Sequence, residues 1–205
     1  NFNLLHSIAN ELIGSKKEIN VVLSSSEKFT NYFFASIEDY ITLDFSKVYR
    51  NADVLLIDDI QFFQGKEQTQ EQFFHTFNEL YTNGKQIVMT ADRYPGEMVG
   101  LQDRLRSRFE SGLHADIQPP DFETRVAILS TKAKQNNMKI EGSHLEKIAS
   151  HVRTNIRDLE SCVTKIFAHA TLSGDKINEA LVESIIRERL GDPVSYTHLT
   201  LPTKA

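Results

Sequence analysis

Two spacings of apolar residues divide the chain. Up to about residue 120, short apolar runs alternate with segments of helical periodicity; beyond Pro119-Pro120 only the helical spacing remains. Leu4, Leu5, Ile8, Leu12 and Ile13 predict a helix over 3–13 that Gly14 ends. Residues 19–24 are short, β-branched and apolar and predict a buried strand. Ser24, Ser25 and Ser26 with Glu27 predict a helix start, and Phe29, Phe33, Phe34 and Ile37 its apolar face. The strongest strand pattern is 53–57, with Asp58 and Asp59 at its end. A helix over 67–82 follows, carrying Phe73, Phe74, Phe77, Leu80 and Tyr81 on one side, with Gly84 as its C-cap. Residues 86–90 predict a strand, 101–110 a short charged helix and 112–117 a last strand.

Strands alternating with helices predict an α/β fold, a doubly wound parallel sheet with helices on both faces. Helical spacing over 121–136, 143–152, 155–172 and 178–190 predicts a small all-helical subdomain. The expected organisation is therefore an α/β part over 1–120 and a helical part over 121–192. Residues 193–205 fit neither. They are uncharged except Lys204, lack helical periodicity, and resemble a translated sequencing-library adapter, the alternative being a native linker or terminal strand.

Composition narrows the function classes. Hydrophobic residues are 40% and charged residues 25% of the chain, which excludes a mostly disordered or collagen-like chain. No apolar run approaches the ~18 residues of a membrane helix. Cys162 is the one cysteine, so neither a disulfide framework nor a cysteine-based zinc site is available, and a reducing, cytoplasmic location is expected. The seven histidines show no metal-ligand spacing; packing is the expected role of His75 on its aromatic helix, and of Cys162. The net charge of −5 argues against a strongly basic nucleic-acid domain within this stretch and leaves room for a local basic patch.

The candidate chemistry gathers at strand ends, where open α/β sheets bind ligands. Four apolar residues followed by Asp58 and Asp59 match the Walker B pattern, in which acids hold a hydrated Mg²⁺ against nucleotide phosphates and orient a water. Two acids opening a surface loop would read the same. A receiver domain also clusters acids at strand ends, but its further Asp and Lys are not found in order. The next strand leads into Asp92, placed to reach a γ-phosphate or to form a turn before Tyr94-Pro95. Arg104 and Arg108 are four apart and share a helix face, while Arg106 points elsewhere. They are either a solvated basic face or guanidinium groups offered to a neighbour's phosphates. Arg157 falls in the first turn of a helix, where a cation opposes the helix dipole unless an anion such as a nucleotide phosphate compensates.

In order, Asp58-Asp59-Ile60-Gln61-Phe62-Phe63, the run from Gln72 to Leu80 (Gln-Phe-Phe-His-Thr-Phe-Asn-Glu-Leu), the run from Ile87 to Pro95, Asp103 to Phe109 and Asn155 to Glu160 resemble the DnaA family of bacterial chromosomal replication initiators, AAA+ ATPases. The resemblance runs from about Leu4 to Leu190. It implies an AAA+ P-loop NTPase core with a C-terminal helical lid, and ATP or ADP with Mg²⁺ as cofactors. By it, Asp58 is the metal acid acting through water, Asp59 positions the attacking water, and Asp92 is sensor 1. Arg108 is the arginine finger, Arg104 its neighbour at the subunit interface, and Arg157 sensor 2. The helices around Phe33–Ile37 and Lys66–Gln68 match the initiator-specific insertion, which makes Phe34 and Lys66 the candidates for single-stranded DNA, although Gln68 stands where a basic residue is expected and Phe34 could equally pack in the core. Implied partners are origin DNA, further copies of the protein, the replicative helicase and acidic phospholipids.

Two family features are not in the sequence. The Gly-x-x-Gly-x-Gly-Lys-Thr loop and its strand should precede Leu4, yet Asn1 and Phe2 stand at the Lys and Thr positions. No helix-turn-helix domain for double-stranded DNA follows Leu190. The expectation is a fragment of a longer initiator that opens origins, itself unable to hydrolyse ATP and poorly folded alone. The alternative is a DnaA-related regulatory adaptor without a DNA-binding domain.

Overall fold

The apolar run ending in Asp58 becomes the middle strand of a parallel sheet. The computed structural model describes residues 2–15, 18–38, 42–153, 156–173 and 177–190. Among these, β1 (Val21–Ser25), β2 (Val54–Asp58) and β3 (Gln86–Met89) lie in the order β1-β2-β3. Ser25 is level with Asp58, and Ile57 with Met89, so the three carboxyl ends lie side by side. The adapter-like stretch 193–205 and residues Asn1 and Asn155 lie outside the described residues.

All five residues of β2 are buried because both faces are covered. Side chains alternate between faces. Val54 and Leu56 meet Leu5 and Ala9 of α1 (Phe2–Ser15). Leu55 and Ile57 meet the larger cluster on the opposite face, built from α2 (Ser26–Glu38), α3 (Thr42–Arg50), α4 (Glu67–Thr82) and α5 (Asp103–Glu110). Phe29 is fully buried at its middle, edge-on to Phe45, Tyr49, Phe63 and Phe73 at centroid distances of 4.7–5.8 Å. Local signals start and stop these helices as the sequence suggests. The Ser25 hydroxyl accepts the Lys28 amide at 3.1 Å beside the start of α2. Gly84, with φ 66°, turns the chain out of α4 while Lys85 N–H returns to the Leu80 carbonyl at 2.9 Å.

The described residues fall into two compact units that divide between Ala115 and Asp116. The second contains α6 (Phe122–Gln135), α7 (Gly142–His151), α8 (Ile156–Ser173) and α9 (Glu179–Leu190) around Leu129, Ile148, Leu159, Val163, Ile166 and Val182. Cys162 is packed in this core. Asp121 caps α6 by accepting the Thr124 amide at 2.8 Å.

Several expectations are corrected. Residues 112–117 are not a strand: the segment pairs with none of β1–β3, and Leu113 is fully exposed. Its alternation of apolar residues suits a strand, but strand formation needs a neighbour's free edge, which the pattern cannot supply. α1 runs one residue past Gly14, to Ser15. α3 escapes the pattern because, among its described side chains (45–50), only Phe45 and Tyr49, four residues apart, are buried, while Val48 faces out. On α2, Phe29 turns inward but Phe34 and Ile37 are exposed. His75 is not packed; its side chain is 55% exposed and 4.0 Å from Glu71.

Candidate functional site

Asp58 is buried at the tip of β2, where a carboxylate needs hydrogen bonds to remain. The Thr90 hydroxyl, just past β3, donates to Asp58 Oδ1. The Asp59 amide donates to the same Thr90 Oγ1 at 3.1 Å. A hydroxyl has one proton. With Asp59 N–H supplying the bond into the oxygen, that proton is directed to Asp58. Thr90 is itself held by the backbone: its amide donates to the Ile57 carbonyl and its carbonyl accepts from Ile60, both at 3.0 Å.

Asp59 leaves the strand through the left-handed region, with φ 58° and ψ 54°, a conformation that Asp tolerates better than most residues. Its carbonyl accepts the Ser26 hydroxyl at 2.7 Å, and its Oδ1 accepts Gln61 Nε2 at 3.1 Å. The two acids therefore differ, one buried under Thr90 and the other half-buried beside Gln61. Asp92 sits apart from this contact. Arg93 donates to both its carboxylate oxygens at 2.8 Å, which holds the Asp92 carboxyl below the usual carboxylate range. It is Thr90, two residues earlier, that touches Asp58.

The arginines of α5 divide as their spacing predicts. Arg104 lies over the Phe74 ring at 4.6 Å, and Arg108 over the Tyr81 ring at 5.5 Å. Both rings belong to α4, so α4 presents one guanidinium from each turn of α5. Arg106 turns the other way, bonding Asp103 at 2.9 Å and the Leu101 carbonyl at 3.1 Å. In the second unit, Arg157 is exposed at the second position of α8, next to Asp158, which pairs with Arg189.

Phe34 and Lys66 are brought together. They line a shallow groove of about 330 Å³ with Gly65, Glu67, Gln68 and Thr69. Lys66 is the residue before α4, no side chain caps that helix end, and its first-turn amides face without intrahelical acceptors. The groove thus joins an exposed ring, an ammonium group and the positive end of a helix dipole, with Glu67 as the opposing charge. Among the described residues no cluster of His, Cys, Asp and Glu has metal-binding geometry, and no helix is long and apolar enough to cross a membrane.

Sequence reasoning missed Thr90, Gln61 and Tyr81. Thr90 reads as an ordinary β-branched strand residue, and only the register of β2 with β3 shows that its hydroxyl meets an acid. Tyr81 reads as part of the apolar face of α4, whereas it is 61% exposed beneath Arg108.

Comparison with known proteins places this geometry. The family described as the bacterial DnaA ATPase domain matches residues 2–116. The crystal structure of domain III of the Thermotoga maritima replication initiation protein DnaA is similar at 35% identity and a TM-score of 0.87, over 92% of this chain and 79% of that one. A replication initiator DnaA bound to AMPPCP and single-stranded DNA is 32% identical with a TM-score of 0.71, over 91% of this chain and 54% of that one, so the chain spans about half of that relative's length. A RuvB mutant of Thermotoga maritima shares the fold at 20% identity and a TM-score of 0.61, over 90% of this chain and 57% of that one.

Proposed function

Because the chain belongs to the bacterial DnaA ATPase-domain family and has its AAA+ α/β fold, we propose that it is the nucleotide- and strand-handling core of a chromosomal replication initiator. In this reading the whole protein binds ATP, assembles with further copies at the origin and opens the duplex. Its location is cytoplasmic, and the replicative helicase and acidic phospholipids are further partners.

The observation that carries the reading is the hydrogen-bonded tip of β2. Asp58 Oδ1 is engaged by Thr90, and among the described residues Oδ2 accepts no hydrogen bond. An acid presented in this way suits a hydrated Mg²⁺ held through water. Asp59, fixed at its backbone, is the group that orients a water. Asp92 serves as sensor 1, Arg108 as the finger offered to a neighbouring subunit, Arg104 as an interface residue and Arg157 as sensor 2. The phosphates themselves are not provided for. No Gly-Lys-Thr loop occurs in the 205 residues, so no hydrolytic step follows for this polypeptide by itself. When bound to the whole protein, ATP with Mg²⁺ supplies the charge that the acids and arginines read.

The groove of Phe34 and Lys66 grips single-stranded DNA, by stacking on the ring and neutralisation at the ammonium and the α4 amides. A labelled oligothymidylate titrated with the chain tests this by fluorescence anisotropy. Stacking of one base contributes about 1–3 kcal/mol, so Phe34→Ala weakens binding by roughly 5- to 150-fold. Lys66→Ala flattens the salt dependence. Unchanged affinity in both variants refutes the groove. Coding sequence on either side that lacks a Gly-Lys-Thr loop upstream and a helix-turn-helix downstream refutes the initiator.

A further inference from the structure

Gln70 spends its whole side-chain amide on hydrogen bonds to backbone groups, and neither the nucleotide site nor the groove uses it directly. It is fully buried on the inner side of α4's first turns. Its Nε2 donates to the Phe63 carbonyl and to the Gly100 carbonyl, each at 2.8 Å. Its Oε1 accepts the Gln102 amide at 2.7 Å. Both amide protons and the carbonyl are thus spent on three backbone groups from two separate turns.

Those turns lead to the two surfaces described above. The first, Phe63–Lys66, ends in Gly65 and Lys66, which line the groove. The second, Val99–Gln102, feeds α5. Gln102 is the residue before that helix; its carbonyl accepts the Leu105 and Arg106 amides at 3.0 Å, and its side chain accepts Arg104 Nε at 2.8 Å. Two outer bonds run parallel to Gln70. Gly65 N–H donates to the Gly100 carbonyl at 3.2 Å, and Gln64 Nε2 to the Val99 carbonyl at 2.7 Å. The backbones come so close that a Cβ on Gly100 would stand 3.3 Å from Gly65 N. Gly65 and Gly100 both adopt positive φ, 72° and 81°, which lets the turns meet.

We propose that Gln70 is a positioning residue that locks the Lys66 turn to the start of the arginine helix α5, so that single-stranded nucleic acid seated in the groove is felt at Arg104 and Arg108. Both surfaces hang on the three bonds of one fully buried side-chain amide. Such an amide has few alternative arrangements, because a shift of either turn leaves part of it buried and unpaired. A displacement or stiffening of the Lys66 turn is therefore passed to Gln102 rather than absorbed. The proposal rests on the groove reading above.

Hydrogen–deuterium exchange of the chain with and without an oligothymidylate tests the coupling, because it reads the groove and the arginine helix separately. In the wild type, the oligonucleotide slows exchange over 63–72 and also over 99–108. In Gln70→Leu the slowing over 63–72 persists and that over 99–108 is lost. Gln70→Glu keeps the acceptor for Gln102 but loses both donors, and it shows the same loss if Gln70→Leu yields no folded chain. Gln64→Ala, which removes only the outer exposed bond, retains slowing in both segments. Slowing over 63–72 alone in the wild type, or over both segments in the Gln70 variants, overturns the coupling. Slowing in neither segment removes the groove reading, and this proposal with it.

Discussion

Two glycine-to-alanine substitutions in the same unit should act in opposite directions, and the structure fixes the sign of each. Gly100 has φ 81°, and an added Cβ would meet Gly65 N at 3.3 Å and Gly65 Cα at 3.8 Å. The left-handed conformation costs an L-residue about 1–2 kcal/mol. Pushing Gly65 away weakens its 3.2 Å bond to the Gly100 carbonyl, worth about 0.5–1.5 kcal/mol. The lower entropy of the unfolded chain returns roughly 0.4–1 kcal/mol. The net for Gly100→Ala is a loss of about 0.5–3 kcal/mol, or roughly 2–12 °C in melting temperature for a unit of this size. Gly14 lies in the last turn of α1, is exposed, and has no atom within 4 Å of an added Cβ, so Gly14→Ala gains up to about 0.5 kcal/mol, below the helix-interior value. The chain has no tryptophan, and the described tyrosines (Tyr32, Tyr49, Tyr81 and Tyr94) all belong to the first unit. Tyrosine fluorescence during urea unfolding therefore follows that unit. Equal midpoints for Gly100→Ala and wild type, or a shift of Gly100→Ala in the same direction as Gly14→Ala, would refute the close approach of the two turns.

Thr90→Val removes the donor to buried Asp58 and leaves the half-buried Asp59 amide without its acceptor, so the same unfolding assay should show a loss of about 1–3 kcal/mol, which Thr90→Ser largely restores. Phe29→Ala empties the space among four rings and should cost about 3–5 kcal/mol; a smaller loss would mean that the core around β2 collapses freely. In the second unit, Lys147 bonds Glu179 and Glu183 and holds the Glu183 carboxyl below its ordinary range. Stability from Glu183 is then present above the unfolded glutamate pKa and lost as pH falls through the lowered folded value; an NMR titration of Glu183 should show this lowering, and Lys147→Met should remove most of it, leaving the smaller pull of Arg187. Micromolar ATP should leave the melting of this chain unchanged, and a nucleotide-dependent rise would contradict the reading that its phosphates lack a cradle here.

What could be read in advance follows from the range of the interactions. Helices with a full apolar stripe, such as α4 and α8, are written locally, and so are their ends at Ser25, Asp121 and Gly84. The buried strand β2 is legible because it is apolar on both faces, which only a covered parallel strand tolerates. Strand formation at 112–117 is not legible, since it depends on an edge that another part of the chain must offer. The candidate site divides in the same way. The acids and the helical spacing of Arg104 and Arg108 can be seen in one dimension. The hydroxyl of Thr90 and the amide of Gln70 cannot, because each works across more than 29 residues of sequence through the pairing of separate elements.

That long-range pairing also decides how two adjacent, chemically identical acids become different. Strand alternation alone would send Asp58 and Asp59 to opposite faces. The left-handed turn at Asp59 ends the alternation and aims its amide back at Thr90, so the backbone of the second acid supplies the hydrogen bond that orients the hydroxyl serving the first. The side chain of Asp59, released from the strand, is met by Gln61 from the following turn. A buried carboxylate that accepts from a fixed hydroxyl keeps its position whether or not a ligand is near, whereas a half-buried one tied to a single glutamine amide can exchange that partner for a water. The different settings of Asp58 and Asp59 are thus a consequence of one left-handed residue and one threonine on the neighbouring strand.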